Sequence, residues 1–417
     1  MLRKILFSLL LMTFFLFLSL GNLFRLVESS LFSDNLIISE ALLYFLSFVS
    51  LVFLKLPAKV LLSVSLFSSL IGLSFLYGCS FQGFDLHAGL YALRLVFLLF
   101  SLVVISEVCF ERFKGDMTAF FHFLFKAYAF SFLLGALLYL FFPSAEKLWI
   151  LLKEYHVGFQ GDPHMGRFVS VYFDPNYYAS IAGLMFLIAT YLYETTKKIR
   201  YQLGAFVFFL SGIFTWSRSG IFVLVLMLMY KIIPSFVKGV FSKRGFLFSF
   251  AFVSLGVFLM LPYLEEAGIF FYRTVHFFEE DSALCRLNTF QFGLSLLKAF
   301  PFFGVGINFL YKQAQEGLLL NSLDSSLLSI LVQIGILPFF LLTAYSFFKA
   351  LSFFKIRNLW REKEAKTPSF FSWFCFYGLS IGLFASQFNN LLFYPFWIVP
   401  FGVVFLFILK RVKNEVY

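Results

Sequence analysis

Apolar positions in this chain come in long unbroken runs, and only short polar stretches separate them. A run of about 20 residues at helical rise crosses a bilayer. The pattern predicts twelve spans, near residues 5–24, 36–54, 60–78, 90–106, 117–141, 176–193, 203–216, 221–233, 246–262, 325–348, 370–387 and 395–409. Two longer intervals break the rhythm, at 143–175 and 263–324, and the expected organisation is one transmembrane domain over 1–417 carrying these two loops. Loops of that length within a compact domain are usually functional. In the second, Leu287, Phe290, Leu294 and Leu297 follow a helical period. They predict an amphipathic helix that begins at Arg286, lies over the membrane face and ends at Pro301 and the Gly304-x-Gly306 turn.

Composition fits this picture. Hydrophobic residues make up 61% of the 417 and charged residues only 13%, with 68 phenylalanines. A water-soluble domain carries about 25% charged residues. The fold class expected is therefore an all-α, polytopic integral membrane protein. The net charge of +11 is placed as the positive-inside rule requires. With the N-terminus inside, 22 of the 33 basic residues fall on inner segments and nine on the longer outer ones. The excess is thus an orientation signal that puts both termini in the cytoplasm, and nucleic acid is not an expected partner. The first apolar run follows Arg3-Lys4 like a signal peptide, yet it is as long as a full span and lacks a small-x-small cleavage site, so it is read as the first helix. The four cysteines show no metal spacing; Cys79 and Cys285 both fall outside and have the option of pairing.

Chemistry is sought in the polar stretches. Residues 166–180 read GRFVSVYFDPNYYAS, where Asp174-Pro175-Asn176 is a helix-start signal and Arg167 lies seven residues earlier. Residues 214–220, FTWSRSG, present Arg218 among small neighbours. Asp324 stands before Ser325 and Ser326 at the head of the tenth span, as a helix cap, a general base, or both. Earlier in the chain, His87 and Arg94 share one face of the fourth span; Arg94 is expected to pair with a carboxylate such as Asp85 or with a lipid phosphate. The Gly304-x-Gly306 pair follows no strand and is a poor phosphate loop, and the acidic run from Glu279 to Asp281 reads as a solvated turn. Arg167, Arg218 and Arg286 all fall on the outer side in this topology. Guanidinium groups hold phosphate oxygens in bidentate fashion and do not deprotonate. Phosphate held beside lipid points to a lipid-linked diphosphate, whose departure fixed positive charge stabilises.

At these residues the sequence resembles the O-antigen ligase and polymerase superfamily of bacterial lipid-linked glycan transferases. The resemblance rests on GRFVSVYFDPNYYAS, FTWSRSG, CRLNTFQFGLSLLKAFPFFGVGINF and DSSLLSILVQIGI, from Gly166 to Leu342. It implies a GT-C-like helical enzyme of the inner membrane with its site on the periplasmic face. The implied reaction moves glycan from undecaprenyl diphosphate to a glycan or lipid A-core acceptor, with inversion and without metal or cofactor. Arg167, Arg218 and Arg286 carry over as diphosphate-binding residues, with Asp174 and Asn176 in support. Ligases of the family carry a histidine where this chain reads NSLDSS, so polymerase is the expected role, with Asp324 as base. In a ligase the base would be Asp324 or a residue such as His276. A flippase or transporter is the competing class, but the internal symmetry typical of transporters is not visible.

Overall fold

The computed structural model describes residues 1–24, 38–142, 167–237, 281–310, 323, 325–345 and 366–416. Among them every regular element is a helix, with no strand. In chain order the helices are α1 (Leu2–Leu20), α2 (Ile38–Leu51), α3 (Ala58–Gln82), α4 (Leu86–Arg112), α5 (Met117–Phe141), α6 (Pro175–Thr196), α7 (Ile199–Ile213), α8 (Arg218–Val237), α9 (Asp281–Ala299), α10 (Ser326–Ile334), α11 (Ile336–Tyr345), α12 (Lys366–Leu383) and α13 (Pro395–Val416). Five are individually long and apolar enough to cross a membrane: α1, α3, α4, α5 and α13. Helices α2, α7 and α8 contribute shorter apolar segments. The fold is thus that of a polytopic helical membrane protein. The expected span at 246–262 lies outside the described residues.

The spine of the bundle is α6. From Tyr178 to Leu192 nearly every residue is buried, and α7 folds back along it. Its start is set by local chemistry: the Asp174 carboxylate accepts from the N–H groups of Asn176 (2.7 Å) and Tyr177 (3.0 Å), and Pro175 fills the first turn. Around α6 lies one core drawn from α1, α5, α7, α12 and α13. Some of the polar groups inside it are paired with one another. Trp397 Nε1 donates to the Tyr377 hydroxyl (2.8 Å), and that hydroxyl donates to the Ser180 carbonyl.

The tenth expected span is not one helix. It breaks at Gly335 (φ +81°), and α10 and α11 meet at 119°. A break exposes backbone groups, which are costly in an apolar surround unless they find partners. Here the segment that follows α9 supplies them. The N–H groups of Val305 and Gly306 donate to the carbonyls of Val332 (2.9 Å) and Gln333 (3.0 Å). The N–H of Ile336 donates to Pro301 O (2.8 Å). Glycine is required at this junction. A Cβ on Gly306 (φ +94°) would lie 2.5 Å from the Cα of Gly78 in α3, and one on Gly335 would lie 2.3 Å from the Phe302 carbonyl.

One further expectation changes. Arg94 pairs with Glu40 of α2, not with Asp85: Nε and Nη2 reach the two carboxylate oxygens at 2.7 and 2.8 Å. Asp85 instead caps α4, accepting from the Ala88 N–H at 2.9 Å. Cys79 is a free thiol.

The Glu40 side chain is fully buried. Removing one partner of a buried pair strands the other charge, at a cost of about 3–5 kcal/mol. Glu40→Leu is therefore expected to lower the thermal midpoint of the detergent-solubilised protein markedly. The double change Glu40→Leu with Arg94→Leu is expected to restore most of the loss; a double variant no better than the single would show that the pair is not the stabilising unit.

Candidate functional site

The helix starts of α6, α8 and α10 meet at one end of the bundle, and hydrogen bonds join the segments that precede them. Arg167 Nε donates to the Thr215 carbonyl (2.8 Å), and the Phe168 N–H donates to the Phe214 carbonyl (3.0 Å). The stretch at 167–180 and the FTWSRSG turn are thus one unit. Arg167 Nη2 also reaches Asn176 Oδ1 at 3.5 Å, so Asn176 helps to orient the guanidinium while Asp174 holds the helix start. Both oxygens are neutral, so these two contacts orient the side chain without offsetting its charge.

Arg218 is the first residue of α8 and is partly exposed. Ser217 caps that helix: its Oγ accepts from the Gly220 N–H (3.2 Å), and its carbonyl accepts from the Ile221 N–H (2.8 Å). Trp216 adopts φ +51° to make the turn, and the Thr215 hydroxyl accepts from the Ser217 N–H (3.1 Å). Gly220 is where α8 touches α6; a Cβ there would lie 2.2 Å from the Cβ of Ala179. The small residues of this turn therefore serve helix contact first.

The third contribution comes from the head of α10. Ser325, not Asp324, is its cap, with Oγ accepting from the Leu328 N–H at 3.2 Å. Asp324 itself lies outside the described residues, as do His276 and most of the 143–175 loop. Arg286 lies on α9, which packs against α10 and buries Thr289, Gly293 and Leu296 there. α9 begins five residues earlier than expected, at Asp281. Its stripe of Leu287, Phe290 and Leu294 is exposed, as a helix lying on an apolar medium requires.

One set of residues escaped the sequence reading. The turn between α12 and α13, FASQFNNLLFYP, ties two of these segments together. Asn389 Nδ2 reaches Ser219 Oγ (3.3 Å), beside Arg218. The Asn389 carbonyl accepts from the Ser326 hydroxyl (3.2 Å), and Ser325 Oγ donates to Gln387 Oε1 (2.8 Å). The signal was present: three amides, Gln387, Asn389 and Asn390, stand together between two apolar runs.

Fold and site together define a helical membrane protein with a polar, arginine-bearing cluster where three helices start. Residues 203–343 match the family model described as O-antigen ligase, which supports placing the chain in the O-antigen ligase and polymerase superfamily. That interval holds Arg218, α9, α10 and all but the last two residues of α11. The match indicates an activity of the ligase or polymerase type and implies lipid-linked glycan and acceptor substrates in general. No curated protein matches the chain.

The close approach of α6 and α8 gives a test of the site's framework. Gly220→Val places two methyl groups in the Ala179 contact, an overpacking worth about 1–3 kcal/mol. The expected outcome is a lower thermal midpoint and a tryptophan emission shift at Trp216; a wild-type melting curve would exclude the contact.

Proposed function

We propose that the protein is a surface-polysaccharide polymerase of the inner membrane, transferring glycan from undecaprenyl diphosphate to an acceptor sugar on the outer face. The observation that carries this reading is the junction of Arg167 with the turn bearing Arg218, within and beside the matched domain. Two guanidinium-bearing segments on one edge suit a diphosphate, and Arg286 on α9 is assigned to the same task.

In the proposed step the acceptor hydroxyl attacks the anomeric carbon of the donor sugar. Its proton passes to the Asp324 carboxylate as the new C–O bond forms. The anomeric carbon's bond to the diphosphate breaks, the electron pair leaves with that group, and the arginines stabilise its charge. Attack opposite to the leaving group inverts the carbon. No metal is needed where guanidinium groups supply the charge.

The broken pair α10–α11 is also a device of transporters, where half-helices frame a midplane site. Transporters use it at matching places in two halves. Among the described residues α10–α11 is the one bent pair, and its bend lies inside the matched interval. Transfer is the better reading.

Three results decide it. Loss of the gene is expected to leave single repeats on the lipid A-core; full-length chains left on the carrier would make the protein a ligase instead. The triple Arg167→Ala, Arg218→Ala, Arg286→Ala variant should assemble glycan at least about a hundredfold more slowly, as loss of oxyanion-type donors does. A normal rate would end the transferase reading. Because Ser325 supplies the cap of α10, Asp324→Asn is expected to abolish transfer with its melting point intact; undiminished transfer would move the base elsewhere.

A further inference from the structure

A second feature lies away from the arginine cluster. Between α2 and α4 a cavity of about 430 Å³ opens, walled by Ala41, Phe45, Leu90 and Tyr91 and carrying His87, Arg94 and Asn308 on its surface. Ligand sites in proteins run from roughly 300 to 1,000 Å³. His87 stands in the first turn of α4 and Phe97, also on the wall, ten residues further on, a distance of roughly 15 Å along the helix. The cavity is thus a slot running down α4 from its N-terminal end, about half the thickness of a hydrocarbon core.

Its charge narrows the occupant. Arg94 is held by both carboxylate oxygens of Glu40, so the ion pair is neutral overall and offers no net attraction to a phosphate. Apart from His87 and Asn308, the remaining wall is aromatic and aliphatic. Such a slot takes hydrocarbon whose headgroup is bound elsewhere. On the far wall, Asn308 (φ +59°) belongs to the segment that fills the α10–α11 break, and its N–H donates to Gln333 Oε1 at 2.6 Å. A chain in the slot therefore touches the segment that holds α10, the helix that starts in the arginine cluster.

We infer that this slot binds part of the isoprenoid chain of the lipid-linked donor, while the diphosphate is held at the arginine cluster. The inference rests on the proposed transferase reading. A polyprenyl chain suits it because the chain is long enough for headgroup and tail to be held at separate places, whereas a phospholipid hangs its chains directly beneath its phosphate.

The test uses full-length protein in nanodiscs and three probes: undecaprenyl phosphate carrying a photoreactive group in its chain, geranyl phosphate, and phosphatidylglycerol. The expected result is crosslinking of the long probe to α2 or α4 around Ala41 and Leu90. Ala41→Trp and Leu90→Trp fill the slot from opposite walls, and each should weaken undecaprenyl phosphate binding by about tenfold, the effect of losing contact with a few chain carbons. Leu137→Trp on the exposed face of α5 serves as the control for added bulk. Geranyl phosphate should bind far more weakly than the long probe in the wild type and respond less to the tryptophans. Crosslinks confined to other helices, or equal affinity of both tryptophan variants and wild type, would overturn the inference. So would phosphatidylglycerol competing for the slot on equal terms, which would make it a phospholipid site. The outcome is separate from that of the transferase reading, which the arginine variants test by glycan assembly: chain binding with normal assembly in those variants would sink the reaction and spare the slot.

Discussion

The backbone at the α10–α11 break governs much of this architecture. A helix bent by 119° among apolar neighbours leaves carbonyl and N–H groups that lipid cannot satisfy. The chain meets them with another piece of irregular backbone: residues 301–306 exchange hydrogen bonds with 332–337 on both sides of Gly335. That pairing fixes where α9 ends and brings Gly306 against Gly78 of α3. Side chains reinforce it. Gln333 holds Asn308 N–H with its amide oxygen and Ser329 Oγ with its amide nitrogen, Ser74 donates to the Gln333 carbonyl, and Gln82 donates to Val305 O. One glutamine thus links α3, α10 and the segment after α9.

Once that knot is tied, the head of α10 has a fixed place, and the rest of the polar end is built on it. Ser325 and Ser326 engage Gln387 and Asn389; Asn389 engages Ser219; the turn around Ser219 holds Arg167 through Thr215. Each link is a neutral hydrogen bond of modest net strength, about 1 kcal/mol. Together they set the mutual placement of four chain segments far apart in sequence. Preorganisation of this kind is what a site must have if charged donors are to meet a departing diphosphate without rearranging.

The sequence made the solvent and most helices legible because bilayer-spanning runs are a strong, local signal. Met117–Phe141 and the start at Pro395 coincide with expectation. The cap at Asp174 was legible for the same reason: Asp-Pro-Asn before an apolar run has one economical reading. What escaped were pairings between distant segments. Hydropathy ran through Gly335 without a break, since α10 and α11 are equally apolar and the bend is made by contacts with residues 301–306. For Arg94 a carboxylate was legible but not which one: Asp85 is near in sequence, whereas the partner, Glu40, lies on the adjoining helix 54 residues away. Residues 384–394 drew no attention because amides lack the charge that marked the arginines.

The arginines fall into two kinds, and the difference is chemical. Arg94 meets a carboxylate through two parallel hydrogen bonds, an arrangement that spends the guanidinium's bidentate capacity inside the protein. Arg167 is oriented instead by a backbone carbonyl and an amide oxygen, neither of which carries charge. The first arrangement makes a burial-tolerant wall; the second ties the guanidinium to the turn before α8 and to the start of α6. An arginine beside lipid is therefore informative through its acceptors more than through its position. On the proposed reading, the end of the bundle where α6 and α8 begin takes the diphosphate, and the slot along α4 takes the chain that follows it.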